Sequence, residues 1–306
     1  MKSFIITIDT EGDNLWEYVK GKPVDVENAK YIPRFQNLCN KYGFKPVWLT
    51  NYEMIMSDEY VNYINKPLSE GQCEIGIHIH AWNNPPYIDL KGKYNGNPYL
   101  IEYTGEVMRE KFKTTYNLIE ERLGVSVKSH RSGRWAMDER YFKLLEEFGV
   151  TCDCSYTPGI SWATAAGETT TGGSDYRNVS KGAHMVGNVL ELPATVRRYS
   201  HYLSFGGSLI HKLRTIIKGG AIWLRPALSS LAEMKKLMKD VDAESGNDYL
   251  EFMIHSSELM PGGSPYFEDE EAIDRMYYTM AQLFAYAREL GYEGETLESY
   301  TKRYLD

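Results

Sequence analysis

The chain opens on an unbroken apolar run that ends in acid. In Ser3–Asp13 (SFIITIDTEGD), Phe4, Ile5, Ile6 and Ile8 are aromatic or β-branched, the pattern of a strand buried on both faces. Asp9, Glu11 and Asp13 then follow at every second position, so an extended backbone turns all three carboxylates to one side. Carboxylates so placed repel one another unless a cation or a proton lies between them. Further on, helical spacing alternates with short β-rich runs. Val26–Tyr42 repeats Ile32, Phe35, Leu38 and Cys39 as a helix does, and Gly43 suits its C-terminal cap. Pro46–Thr50 reads as a second strand, Glu53–Ile64 as a helix and Cys73–His80 (CEIGIHIH) as a third strand. Thr104–Leu123 is the longest periodic helix, with Thr104 as N-cap. Val125–Arg131 and Val150–Ser155 read as strands on either side of a helix at Asp138–Phe148.

The second half is less regular. Residues 156–188 are rich in Gly, Thr and Ser and too long for a simple connection. Val189–Thr195 reads as a strand, residues 199–222 as no defined element, and Ser229–Asp242 as a helix. Tyr249–His255 (YLEFMIH) is a strand that ends in an imidazole, Asp269–Leu290 is a helix, and the TLES stretch from Thr296 is a candidate last strand. Seven or eight strands alternating with helices predict an α/β fold, a distorted (β/α) barrel of mostly parallel strands. No linker-like stretch or internal repeat interrupts 1–306, so one domain is expected.

Composition narrows the function. A net charge of −8 argues against a nucleic-acid phosphate track and a polybasic membrane anchor. No apolar run reaches the roughly 18 residues of a membrane span. The Met1 segment has neither a charged n-region nor a cleavage site, so a cytoplasmic protein is expected. Cys39, Cys73, Cys152 and Cys154 form no paired framework and read as reduced core thiols. The 24 tyrosines and 6 tryptophans offer aromatic surface of the kind that suits sugars.

Polar residues out of place in apolar strands sit at their C-terminal ends: Asp9, Glu11, His78, His80, Arg131, Asp153 and His255. In parallel α/β folds this is the edge where sites form. His78 and His80, at i and i+2, point the same way. With a carboxylate they suit one zinc or another borderline divalent ion, the alternative being a hydrogen-bonded structural cluster. His130 adjoins Arg131 and points the opposite way, which leaves it out of the site.

Five stretches in order carry a resemblance: TIDTEGD, EIGIHIHAW, SHRSGRW, TCDCSYTPGISW and FMIH. Over nearly its full length the chain resembles the polysaccharide deacetylases, the fourth carbohydrate-esterase family, and most of all the branch found with surface-polysaccharide and lipopolysaccharide clusters. The resemblance implies Asp9 as catalytic base, Arg131 as the residue that orients it and His255 as general acid. It implies a metal held by Glu11, His78 and His80, and a substrate pocket shaped by Asp153, Trp82, Trp135 and Trp162. Two departures stand out. Thr10 separates acids that the family usually has adjacent, and Trp82 stands where the family's second histidine usually falls, four positions after His78. The expected activity is metal-dependent removal of acetyl groups from an N- or O-acetylated sugar or glycan precursor. Hydrolysis of a cyclic amide or other non-peptide C–N bond, and non-catalytic glycan binding on the same fold, are the alternatives.

Overall fold

The odd–even alternation of β1 (Lys2–Thr10) sets the architecture. In the computed structural model, which describes residues 1–19, 21–202, 216–217 and 219–306, Phe4, Ile6 and Ile8 pack outward into a core covered by helices. Ile5, on the other parity, packs inward with Val47, Leu49, Cys152, Leu190, Tyr249, Leu297 and Tyr300. The run is continuously apolar because both faces of the strand are buried.

After β1 come α1 (Ile32–Lys41), β2 (Pro46–Thr50), α2 (Tyr52–Met56), α3 (Asp58–Ser69), β3 (Glu74–Ile79), α4 (Gly105–Leu123), β4 (Ser129–Ser132) and α5 (Glu139–Glu147). Then follow β5 (Cys152–Asp153), β6 (His184–Val186), β7 (Val189–Glu191), β8 (Val196–Tyr199), β9 (Gly220–Trp223), α6 (Leu231–Asp242), β10 (Tyr249–His255), α7 (Glu270–Glu289), β11 (Tyr292–Gly294) and α8 (Leu297–Leu305). The sheet order is β10-β1-β2-β3-β4-β5-β7-β6, with β11 beside the start of β1. Every pairing is parallel except β6 with β7. The antiparallel β8–β9 ladder stands apart from this sheet and meets β10 through Thr195 Oγ1, which accepts from Glu251 N at 2.9 Å, and Leu224 O, which accepts from Met253 N at 3.3 Å. The result is a curled, mostly parallel sheet, a distorted (β/α) barrel in one domain.

Local chemistry explains the boundaries. Side chains of Thr104, Asp138, Ser230 and Asp269 cap the N-termini of α4, α5, α6 and α7. The interior is narrow at Gly76, where a Cβ would lie 2.5 Å from both Leu49 Cδ2 and Ser129 Oγ. Three expectations are corrected. The single helix over Glu53–Ile64 is two, because Ser57 leaves helical geometry (φ −75, ψ 119) and caps α3. Val189–Thr195 is a strand only to Glu191, and Pro193 follows. Thr296 caps a helix instead of opening a last strand, and the last strand is β11. The unassigned stretch 199–222 falls partly on residues 203–215 and 218, which lie outside the described residues, as does His211. All four cysteines are buried and unpaired. Among the described residues, no helix is long and apolar enough to cross a membrane.

Candidate active site

The interior parity of four strands, β10 and β1 on one side of β2 and β3 and β4 on the other, supplies the polar cluster. β1 presents Thr7 and Asp9 inward and leads into Glu11; β3 presents His78 and leads into His80. β4 contributes Arg131, and β10 contributes Glu251 and His255. All of these except His255 are at least nine-tenths buried.

Glu11, His78 and His80 converge. Their ligating atoms lie within 4.8 Å of one another. His78 Nδ1–H donates to the Arg131 carbonyl at 2.8 Å, which leaves the Nε2 lone pair aimed at the cluster. His78 Nε2 lies 3.2 Å from His80 Nε2 and 3.3 Å from Glu11 Oε2. These separations match the roughly 3.3 Å edge of a tetrahedron built on metal–ligand bonds of about 2.0–2.1 Å. His80 Nε2–H donates to Glu11 Oε2 at 2.6 Å, so a bound cation would take the place of that proton. The donor set therefore fits a divalent ion. One feature is atypical: His80 Nδ1 is buried without a partner, where a ligating imidazole usually has one. Burial pushes the Glu11 carboxyl up, but His80, His255 and His78 outweigh it and hold it well below the usual carboxylate range.

Asp9 and Arg131 form the second group. Arg131 Nη1 donates to Asp9 Oδ1 at 2.7 Å, Nη2 to Thr7 Oγ1 at 2.7 Å and to Glu251 Oε1 at 2.5 Å, and Nε to the Cys154 carbonyl at 3.1 Å. Burial raises Asp9, but Arg131, His78 and His255 outweigh it, so Asp9 is held ionised below its ordinary value. For Glu251 the balance is reversed: burial outweighs Arg131 and raises it.

His255 stands across from these acids. Its Nε2 is 3.7 Å from Asp9 Oδ2 and 3.9 Å from Glu11 Oε1. Arg225 Nη2 donates to His255 Nδ1 at 2.8 Å and to Glu258 Oε1 at 2.5 Å. An arginine can only donate, so the neutral ring carries its proton on Nε2, toward the acids. Glu258 Oε1 is 3.4 Å from Nδ1 and can take an Nδ1–H when the ring is doubly protonated. Glu258 itself, although burial pushes it up, is held down to about 2 by Arg225 and His255. The Trp16 ring meets His255 edge-on at 5.0 Å.

The structure places the other predicted residues differently from one another. Trp82 packs on His80, ring to ring at 4.3 Å. Trp135 lies 5.1 Å from the Arg131 guanidinium and is only 9% exposed, so it is wall more than platform. Trp162 stacks parallel to it at 6.4 Å and remains partly exposed. Arg134 and Trp135 both adopt positive φ (56° and 62°), strain of the kind concentrated at functional sites. Asp153 is not brought to this cavity: it faces the helix layer, where His130 Nδ1–H and Ser155 Oγ–H donate to it at 2.7 Å each. Asp13 also leaves the cluster, accepting from the backbone N–H of Glu27 at 2.9 Å and of Asn28 at 3.1 Å. Sequence reasoning missed Thr7, Glu251, Arg225 and Trp16. A Glu in the middle of YLEFMIH was the one available signal, since a lone acid in a buried strand calls for a cationic partner.

No family model and no curated protein matches the chain. Its fold matches solved structures at low identity. A Mycobacterium smegmatis protein assigned as a polysaccharide deacetylase is 15% identical over 97% of this chain and 94% of that one, with a TM-score of 0.49. A family 4 acetyl xylan esterase from Clostridium thermocellum, in complex with a cobalt ion, is 13% identical over 97% and 89%, with a TM-score of 0.45. A GH57 branching enzyme from Thermococcus kodakaraensis is 11% identical over 99% and 71%, with a TM-score of 0.58. At these identities each likeness is one of fold alone.

Proposed function

We propose that the chain is a metal-dependent hydrolase that removes acetyl groups from an N-acetylated (or O-acetylated) sugar or glycan precursor in the cytoplasm. One observation carries the reading. A three-ligand cluster of Glu11, His78 and His80 lies beside an ionised Asp9 and across from an imidazole that points its Nε2–H inward. Bound there, a divalent ion of which zinc is the first candidate supplies Lewis acidity, making water more acidic and an acetyl carbonyl more electrophilic. Asp9 accepts the proton of the attacking water. Arg131 keeps that carboxylate charged and aimed, through a buried contact of 2.7 Å. His255 gives a proton to the departing amine or alkoxide. Glu258 and Arg225 set which ring nitrogen carries that proton. The partly exposed Trp82 and Trp162, with Trp135 behind, suit the apolar face of a sugar ring.

The test is metal content and acetate release on a panel of acetylated sugars and cyclic amides. Wild type should hold about one divalent ion per chain and release acetate from sugars. His78→Ala and His80→Ala should each weaken zinc binding by more than about 100-fold, beyond what a change in an outer-shell partner costs. Undiminished binding in both variants sinks the metal site, and turnover confined to cyclic amides replaces the substrate.

A further inference from the structure

Glu251 lies beside the site, 1% exposed, and its side-chain partners are Arg131 and Thr7, neither of which exchanges a proton in the reaction. It stands four positions before His255 on β10, so an extended backbone turns both residues to the interior. An acid in the middle of a buried strand is costly unless it is paired. Charge balance does not explain the pairing found here. Asp9 already neutralises Arg131, and burial holds Glu251 above its ordinary value in spite of the guanidinium beside it.

The form of the contact does explain it. An arginine and a carboxylate commonly pair by both prongs of the fork, in two parallel N–H···O bonds that occupy both carboxylate oxygens. Arg131 and Asp9 do not. Nη1 donates to Asp9 Oδ1 at 2.7 Å, while Nη2 is turned away, one hydrogen to Thr7 Oγ1 at 2.7 Å and one to Glu251 Oε1 at 2.5 Å. Nε is taken by the Cys154 carbonyl at 3.1 Å. Thr7 Oγ1–H donates on to Glu251 Oε1, which closes the group. Neither Nη2 nor Nε is then free for a second bond to Asp9. Among the described residues no hydrogen bond reaches Asp9 Oδ2, which faces His255 Nε2 at 3.7 Å.

Each donor to a carboxylate favours its charged form, so an acid held through both oxygens is the weaker base. One held through a single oxygen keeps a fixed direction and a free oxygen to receive a proton.

We infer that Glu251 is a positioning residue. With Thr7 it draws off one prong of the Arg131 fork, so that Arg131 holds Asp9 by Oδ1 alone and Oδ2 stays open for the proton of the attacking water. The inference rests on the deacetylase reading for the part that Asp9 plays, and on distances alone for the arrangement of the fork. Glu251 Oε1 accepts from Nη2 whether or not the carboxyl is ionised, so the arrangement needs an oxygen at that place and not a charge.

The experiment removes the oxygen and the charge separately. Glu251→Met keeps roughly the volume of the side chain and removes the acceptor. Glu251→Gln keeps the acceptor and removes the charge, and its amide stands where Oε2 already has no partner. Crystal structures, bound zinc, urea unfolding and rates of acetate release are read on both. In Glu251→Met, Arg131 should turn both prongs onto Asp9, and kcat should fall about 100-fold, the scale of a misplaced catalytic group, with KM and zinc content unchanged. Glu251→Gln should keep the single-oxygen contact and recover most of that loss. Thr7→Val removes the other acceptor of Nη2, should lower kcat in the same direction by less, and carries the test if Glu251→Met does not fold. A merely structural acid predicts lower stability in Glu251→Met with kcat per folded molecule unchanged. That result, or a single-oxygen contact retained in the crystal structure of Glu251→Met, overturns the inference. A loss in Glu251→Gln as large as in Glu251→Met makes the charge the cause and overturns it as well. If wild type releases no acetate while the fork turns as expected in Glu251→Met, the deacetylase reading falls and the arrangement of the fork stands.

Discussion

Two buried histidine–carboxylate clusters lie on the same sheet, on opposite faces of neighbouring strands. In one, His130 Nδ1–H donates to Asp153 and His130 Nε2 accepts from Tyr141 Oη–H at 2.8 Å. Ser155 donates to Asp153 and accepts from Ser132 N at 2.8 Å, and Glu191 accepts from Tyr156 N at 2.9 Å. Every ring nitrogen there is paired, and the helix layer seals it: His130 and Asp153 are 0% exposed. In the other, two imidazole nitrogens approach each other at 3.2 Å and converge on one carboxylate oxygen. A second imidazole–acid pair stands apart at 3.7 Å, too long for a hydrogen bond. The chemistry of the residues is the same in both. What differs is where the unmet atoms lie: in the sealed cluster both His130 nitrogens are paired and the unpartnered atoms are the carboxyl oxygens Asp153 Oδ2 and Glu191 Oε2, whereas in the other the imidazole nitrogens themselves are aimed at a common point. A buried His–Asp pair is a packing device while its imidazole nitrogens are both taken.

The largest effect that separates them is on turnover. Asp9→Asn should fold and bind metal normally and lose acetate release by about 100- to 10,000-fold, the usual contribution of a general base. Circular dichroism and metal content check the fold; initial rates check the base. Near-normal turnover would make Asp9 a structural acid like Asp153 and erase the distinction.

Strand parity decided how much of this was legible in the sequence. Asp9, Glu11, His78, His80, Arg131 and His255 close apolar runs at alternate positions, so an observer counting by twos places them on one face. The same count shows why Asp153 does not join them. It is the register partner of His130, which parity already excluded, and it lies between Cys152 and Cys154, of which Cys152 faces the inner core. Periodicity cannot show partners that come from distant loops. Arg225 follows a stretch with no repeat and reaches His255 across the fold. Asp13 shares the parity of Glu11 but is captured by backbone N–H groups of Glu27 and Asn28, a turn that the spacing of acids does not reveal. The barrel was readable for the same reason as the site, since strands buried on both faces leave long apolar runs. The TLES stretch misled because four residues carry no period, and its Thr and Ser serve as a helix cap.

The next effect falls on stability and leaves chemistry alone. Asp153→Asn removes the charge that His130 and Ser155 satisfy, in a site closed to solvent, where all three residues are fully buried. Urea unfolding should show a loss of about 1–3 kcal/mol. Acetate release per folded molecule should stay at the wild-type rate. A fall in kcat without a fall in stability would move Asp153 from the sealed cluster into the active one.

The smallest effect is a slope. Burial, with the negative charge of Asp153 beside it, raises the Glu191 carboxyl well above its ordinary value, while Asp153 itself is held low: burial raises it, and His130 more than compensates. The folded protein therefore keeps a proton on Glu191 that the unfolded chain gives up near pH 4.5. That proton makes folding less favourable as pH rises from about 4.5 toward the raised native value, by up to about 1.4 kcal/mol for each pH unit. Glu191→Gln is the neutral form made permanent: its carbonyl oxygen still accepts from Tyr156 N, and its amide still donates toward Asp153. The variant should lack this part of the decline, so its stability relative to wild type should grow between pH 5 and pH 7 in parallel urea titrations. No such gain is expected from neutralising Glu11, which is held low and charged by three imidazoles and gives up no proton over that range. Parallel curves for wild type and Glu191→Gln would mean that Glu191 is ionised in the fold, and the sealed cluster would then need a cation of its own.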